Sequence, residues 1–228
     1  MSLAGWLNTV WMLKCSGEAR AFARATRRVA ATQAGVLAEV LARNRDSEFG
    51  LAHGFGRMQG PRDYQRRVPL SCADDYAEAI RRIAAGRPRV LTGEPVTLLE
   101  PTSGTTGGAK LVPYTACLRR QFQRAVAAWV FDLFRHRPAV RRGRAYWSLS
   151  PALGGQRRTP GGIPVGFDDD AAYLGALEQL FLGRLLVAPG GLARVPDMEA
   201  FRYCTLLWLL RAADLTLVSV WSPTFLSA

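Results

Sequence analysis

Lysine is almost absent from this 228-residue chain: Lys14 and Lys110 are the only two, and arginine supplies the rest of its 30 basic residues. An arginine-biased genome would account for that without any function, but it makes the position of each remaining lysine informative. Histidine is as scarce, with only His53 and His136, far apart. The four cysteines, Cys15, Cys72, Cys117 and Cys204, fall at no metal-ligand spacing. That excludes a Cys/His metal centre as a reading, and the cysteines are expected as buried or half-buried thiols in a reducing compartment. No apolar run is long enough to span a membrane. The nearest, residues 206–226, is interrupted by Arg211 and Asp214. The apolar start at 3–13 has neither a basic lead nor a small-residue cleavage site. A cytoplasmic protein is expected.

What is present is a globular composition, 49% hydrophobic, with six tryptophans and ten phenylalanines to fill a core. The length suits one large or two small domains. A net charge of +12 raises nucleic-acid binding as a possibility. The arginines, however, are scattered in pairs such as Arg27-Arg28, Arg81-Arg82 and Arg157-Arg158, without interleaved aromatics. A solvated, arginine-rich surface is the plainer reading.

Periodicity predicts a long amphipathic helix over 17–43, with Phe22, Val29, Val36, Leu37, Val40 and Leu41 on its buried stripe. The glycines of 49–56 end it, and His53 there reads as structural. Ser71 is expected to cap the next helix, accepting from the Asp74 N–H while the Asp74 carboxylate reaches back. Tyr76, Ile80 and Ile83 form that helix's stripe, and Gly86 and Pro88 close it. Further helices are expected at 116–136, at 171–182 and, as a buried one, at 198–213. Strands are expected at 96–99, 111–114, 145–150, 185–188 and 215–220. Residues 151–170 lack periodicity and finish in Asp168-Asp169-Asp170, which suits a helix start better than a cation site. Strands alternate with helices from residue 90 onward, so the fold class is α/β: a helical segment over 1–89 and a layered core over 90–228.

The most informative stretch lies between two of those strands. Thr102, Ser103, Gly104, Thr105, Thr106, Gly107, Gly108 and Ala109 carry no bulky side chain, and the loop closes on Lys110. Glycines let backbone N–H groups turn toward an anion, hydroxyls donate further bonds, and a cation neutralises charge. This is the chemistry of a phosphate cradle. It is not a Walker A loop, because Lys110 follows Ala109 and Leu111 stands where a hydroxyl is needed. Nor does the glycine spacing fit the dinucleotide G-x-G-x-x-G pattern. The bland alternative is a flexible Gly/Thr hairpin loop.

Ser103 to Lys110, S-G-T-T-G-G-A-K, resembles the phosphate loop of the adenylate-forming superfamily. Its surroundings sharpen the likeness. Asp46-Ser47-Glu48-Phe49-Gly50, His53-Gly54-Phe55, Val68-Pro69-Leu70, Ala85-Gly86, Pro95-Val96-Thr97, Lys110 to Thr115, Tyr146 to Pro151 and Gly161 to Gly166 follow in the order seen in the GH3 family. That family comprises acyl acid–amido synthetases, best known from plants, where they join hormones to amino acids.

The resemblance implies a fold, an activity and a site. The fold is an incomplete N-terminal large domain of the adenylate-forming type, because the family's later motifs for adenine and ribose do not follow and its C-terminal domain is missing. The activity is ATP-dependent, Mg²⁺-assisted activation of a small carboxylic acid as acyl-adenylate, then amide formation with an amino acid. In the site, Thr102, Ser103, Gly104, Thr105, Thr106, Gly107, Gly108 and Lys110 would hold the β- and γ-phosphates, with Lys110 and Thr105 closest to catalysis. Residues 151–166, Ile163 among them, would line the acid pocket. A separately encoded C-terminal half is a possible partner. Two rival readings stay open: an inactive remnant that binds nucleotide or protein, and a basic nucleic-acid-binding domain.

Overall fold

The computed structural model describes residues 2–102, 110–147, 157–166, 183–195 and 197–220. The chain divides into two units: one of Met1–Phe22, Gln121–Gly155 and Phe167–Ala228, the other of Ala23–Arg120 with Gln156–Gly166.

The second unit is built on a hairpin of β1 (Val96–Pro101) and β2 (Leu111–Thr115), antiparallel, with Pro101 opposite Leu111 at the loop end. The register shifts between Val96 and Leu98, a bulge that leaves Thr97 as the extra residue. Leu98 and Leu99 are both buried although they point to opposite faces, so the strand is covered on both sides here. Two further short strands, β4 (Arg157–Arg158) and β5 (Pro164–Val165), complete the order β2-β1-β5-β4, with Leu99 beside Val165 in parallel. Residues 157–166 are thus a hairpin, although the sequence shows no alternation there. Ile163 joins Ile83, Val90 and fully buried Leu99 in the core beneath the sheet. Each such aliphatic side chain contributes about 1.5–3 kcal/mol by leaving water.

The hairpin is fastened to helix α5 (Ala77–Ala84) by a backbone bond from the Gly161 N–H to the Ala84 carbonyl, 2.8 Å. A Cβ on Gly161 would stand 2.5 Å from the Cα of Gly86, and Gly86 has φ +91°. Only glycine suits both places. Ile80 and Ile83 of α5 pack toward Leu99 and Leu111 as the periodicity predicts.

The N-terminal helices show where sequence periodicity misleads. The expected helix over 17–43 is two: α1 (Leu3–Ala25) and α2 (Val29–Asn44). Between them the Arg27 and Arg28 N–H groups bond the carbonyls three residues back, and the Thr26 hydroxyl donates to the Ala23 carbonyl. This tightened turn ends α1 without glycine or proline. Of the expected stripe only Leu41 is buried; Phe22, Val29, Val36 and Val40 are exposed. The α2 face instead lines an open groove of about 470 Å³ with Phe49, Phe55, Tyr64 and Leu91.

Helix α3 (Glu48–His53) has its first N–H groups answered. Ser47 Oγ accepts from Gly50, and the carbonyls of Arg89 and Val90 accept from Glu48 and Phe49. Arg89 takes φ 55° to present its carbonyl there. His53 sits in an aromatic cluster with Phe49 and Phe55, its Nδ1 3.0 Å from the Arg67 carbonyl. Helix α4 (Pro61–Arg67) follows, with proline in its first turn.

In the first unit most of helix α6 (Ala116–His136) buries Val126, Val130 and Phe134 against Cys15 and Trp11 of α1. Asn8, itself buried, donates to the carbonyls of Arg141 and Gly143 and so answers the basic link after α6. Strands β3 (Arg144–Trp147) and β6 (Leu215–Ser219) pair in parallel, tied at one end by the bidentate Arg144–Asp214 pair. The expected strand at 185–188 reduces to one bridge, Leu186 to Ala145. Helix α7 (Met198–Arg211) forms as expected, N-capped by Asp197, but it is not a buried helix. Phe201 and Thr205 face the core while Tyr203, Leu206, Trp208 and Leu210 are exposed. Its apolar residues run around the whole helix, so composition could not reveal which face is covered.

Cys15 is buried, Cys117 and Cys204 are half-buried, and all are free thiols. Cys72 is exposed, contrary to expectation, because it stands at the N-cap of a surface turn. Among the described residues no helix is long and apolar enough to cross a membrane. The predicted helix at 171–182 and the acidic triplet 168–170 lie outside the described residues.

Candidate functional site

The glycine-rich loop joins β1 to β2, so it is the tip of an antiparallel hairpin. Its base is closed by a bond from the Thr102 N–H to the Lys110 carbonyl, 2.8 Å. Thr102 and Lys110 therefore stand side by side as the structure brings them to one place. Ser103, Gly104, Thr105, Thr106, Gly107 and Gly108 lie outside the described residues. At the far end of the hairpin Thr97 Oγ1 donates to the Tyr114 carbonyl.

Lys110 is exposed at this base, and its Nζ lies 3.2 Å from Oδ1 of Asp74. Sequence reasoning gave Asp74 a different task, as partner of Ser71 in a capping box. The structure moves the box by one residue. Asp75 Oδ2 accepts from the Cys72 N–H at 2.7 Å, and Ser71 Oγ bonds the Tyr76 hydroxyl. The backbone bond from Cys72 draws the Asp75 carboxyl below the usual range. The Asp74-Asp75 doublet left open in the sequence which of the two would cap.

Many phosphate loops lead straight into a helix whose N-terminus faces the anion. Here β2 intervenes, and the first turn of α6 is already occupied. Thr115 Oγ1 accepts from the Leu118 N–H at 3.2 Å, and Glu94 Oε2 accepts from the Cys117 N–H at 3.0 Å. Glu94 also meets Arg43 at 3.2 Å. The N-terminus of α6 is thus taken by Glu94 and Thr115. Tyr114, below the loop on β2, has its phenol held protonated to higher pH by burial and by the Glu100 charge. Glu100 and Tyr114 are diagonal neighbours, since Leu98 pairs with Tyr114 and Glu100 with Val112. Among the described residues no three His, Cys, Asp or Glu side chains come together to hold a metal. The donor set at the hairpin base suits a polyphosphate, and a divalent ion would arrive with such a ligand.

Comparison with known proteins agrees with the ordered motifs. Residues 18–228 match the model of the GH3 family N-terminal domain. The indole-3-acetic acid-amido synthetase GH3.3 of Arabidopsis thaliana is 32% identical over 144 residues, 61% of this chain and 24% of that protein. The jasmonoyl–L-amino acid synthetase GH3.3 of Oryza sativa subsp. japonica is 30% identical over 220 residues, 90% of this chain and 45% of that protein. The solved structure of the GH3.15 acyl acid amido synthetase superposes with a TM-score of 0.66 at 23% identity, covering 85% of this chain and 34% of the synthetase. The chain thus has the mixed α/β fold of part of those enzymes and spans less than half the length of each. It belongs to the GH3 family and matches that family's N-terminal domain.

Proposed function

We propose that the chain supplies the triphosphate-binding part of a cytoplasmic GH3-type synthetase, which activates a small carboxylic acid with ATP and Mg²⁺ and joins it to an amino acid. The observation that carries this reading is the hairpin closed between Thr102 and Lys110, which sets one of only two lysines at the mouth of a Gly/Ser/Thr loop. The relatives named above are synthetases of acid–amino acid conjugates by their names. In this reading Thr102, Ser103, Thr105 and Thr106 donate through their hydroxyls, Gly104, Gly107 and Gly108 through the backbone, and Lys110 neutralises charge. ATP supplies the phosphorus at which the acid is activated. The residues of this chain act by holding the leaving pyrophosphate in place, so no nucleophilic side chain is needed. Thr105 and Lys110 are the two whose loss should reach the chemical step.

The test is carboxylate-dependent ATP–pyrophosphate exchange, with this chain alone and together with any separately encoded polypeptide carrying the rest of a GH3 fold. Exchange that disappears in Thr105→Val and Gly107→Val supports the proposal. No exchange even in the complemented mixture overturns it. Triphosphate binding without exchange would instead favour a nucleotide-binding chain without turnover. Salt-sensitive RNA or DNA binding that ignores the loop variants would favour the nucleic-acid reading.

A further inference from the structure

We propose that Asp74 is the built-in counter-ion of the loop lysine: it occupies the Lys110 ammonium until a polyphosphate takes it, and so sets the affinity of the site. This rests on the reading of 102–110 as a triphosphate loop. The pair is 3.2 Å long, and it joins two segments whose backbones are fixed by other bonds. Lys110 is held by its carbonyl at the hairpin base. Asp74 sits in a turn (Ala73–Tyr76) pinned at its start by Asp75 on Cys72 and at its end by the Ala77 N–H on the Asp74 carbonyl. The following helix is packed by Ile80 and Ile83 against Leu99 and Leu111, the residue after the lysine. Packing thus brings carboxylate and ammonium together; two loose side chains meeting by chance would have no such frame.

The division of labour in the doublet points the same way. Asp75 does the capping, while the Asp74 side chain is 81% exposed and packs against little. Its carboxylate contributes to the lysine and hardly to the fold. An exposed ion pair is held weakly. A ligand with several negative charges therefore displaces the carboxylate, but it must then sit near a like charge that remains. A ligand with one or two charges gains less from the exchange. Asp74 in this way holds affinity down, and most for the most highly charged ligand, triphosphate.

The experiment is calorimetric titration of the full chain with phosphate, pyrophosphate and triphosphate, using wild type, Asp74→Asn, Lys110→Ala, their double variant and Thr105→Val, each checked for an unchanged circular dichroism melt. Asp74→Asn is expected to tighten triphosphate binding roughly three- to tenfold, with a smaller gain for pyrophosphate and least for phosphate. In the Lys110→Ala background the gain should fall below about twofold, which is the coupling a double-mutant cycle reads. Unchanged or weaker binding by Asp74→Asn, with Lys110→Ala still weakening it, overturns the counter-ion and leaves the loop reading standing. Binding untouched by Lys110→Ala and Thr105→Val, or no binding by any form, overturns the loop reading and the counter-ion with it.

Discussion

The Glu94 carboxylate accepts from the Cys117 N–H at 3.0 Å, so the first turn of α6 carries its own anion. Thr115 completes the cap on Leu118. Thr115→Ala should lower stability by about 1 kcal/mol, the usual loss for an N-cap hydroxyl. Glu94→Gln keeps an acceptor and loses only the charge at the helix end, worth about 0.3–1 kcal/mol. Urea denaturation of both variants measures this. Equal and large losses would mean that Glu94 acts through Arg43 more than through the helix.

Acid should destabilise the chain in a defined window. The side-chain bonds from Arg144 hold the Asp214 carboxyl below its ordinary range, those from Arg82 do the same for Glu48, and the Cys72 N–H does so for Asp75. A carboxyl whose folded pKa is depressed stabilises the fold above its unfolded pKa, about 4. That stability is lost as pH falls through the lower, folded value. Stability should therefore be flat above about pH 5 and decline below about pH 4. Asp214→Asn should remove part of that acid dependence and lower stability at neutral pH. Denaturation midpoints between about pH 2.5 and 7 report both.

Helix α7 has two kinds of apolar residue that composition cannot separate. Phe201 is 6% exposed and Leu210 is 85% exposed. Phe201→Ala should cost about 3–5 kcal/mol by leaving a cavity. Leu210→Glu should change stability by no more than about 0.5 kcal/mol. Thermal melts of the two variants distinguish them, and equal losses would contradict the observed burial.

Arg89 has φ 55° and Gly54 has φ 68°. Arg89→Gly should raise stability by up to about 1 kcal/mol, because relief of the left-handed backbone outweighs the added chain entropy. Gly54→Ala should lower it by about 1 kcal/mol for the same reason reversed. A matched pair of denaturation curves gives both signs.

Legibility in the sequence followed the range of the interactions concerned. Strands β1 and β2, helix Ala116–His136 and the Ile80 and Ile83 stripe of α5 were readable because each depends on side chains a few residues apart. The break at Thr26–Arg28 was not, since it is made by backbone bonds that leave no glycine or proline behind. Nor was the strand pair Arg157–Arg158 with Pro164–Val165, whose pairing to Leu99 comes from a distant part of the chain. At the hairpin base Thr102 and Lys110 stand side by side, but Asp74 was assigned to the wrong partner. Choosing between Ser71 and Lys110 requires knowing how α5 lies on β2.

The amino-acid sequence by itself determined the family and the chemistry of the loop. Small residues, hydroxyls and a scarce lysine in one unbroken run are what the proposed anion site rests on, and they are legible without any partner from elsewhere. Only the tertiary structure decided which charges surround that site. It placed Asp74 against Lys110 and gave the helix N-terminus to Glu94. Coulomb interactions depend on distance in space, and the separations of Asp74 from Lys110 and of Glu94 from Cys117 along the chain carry no information about it.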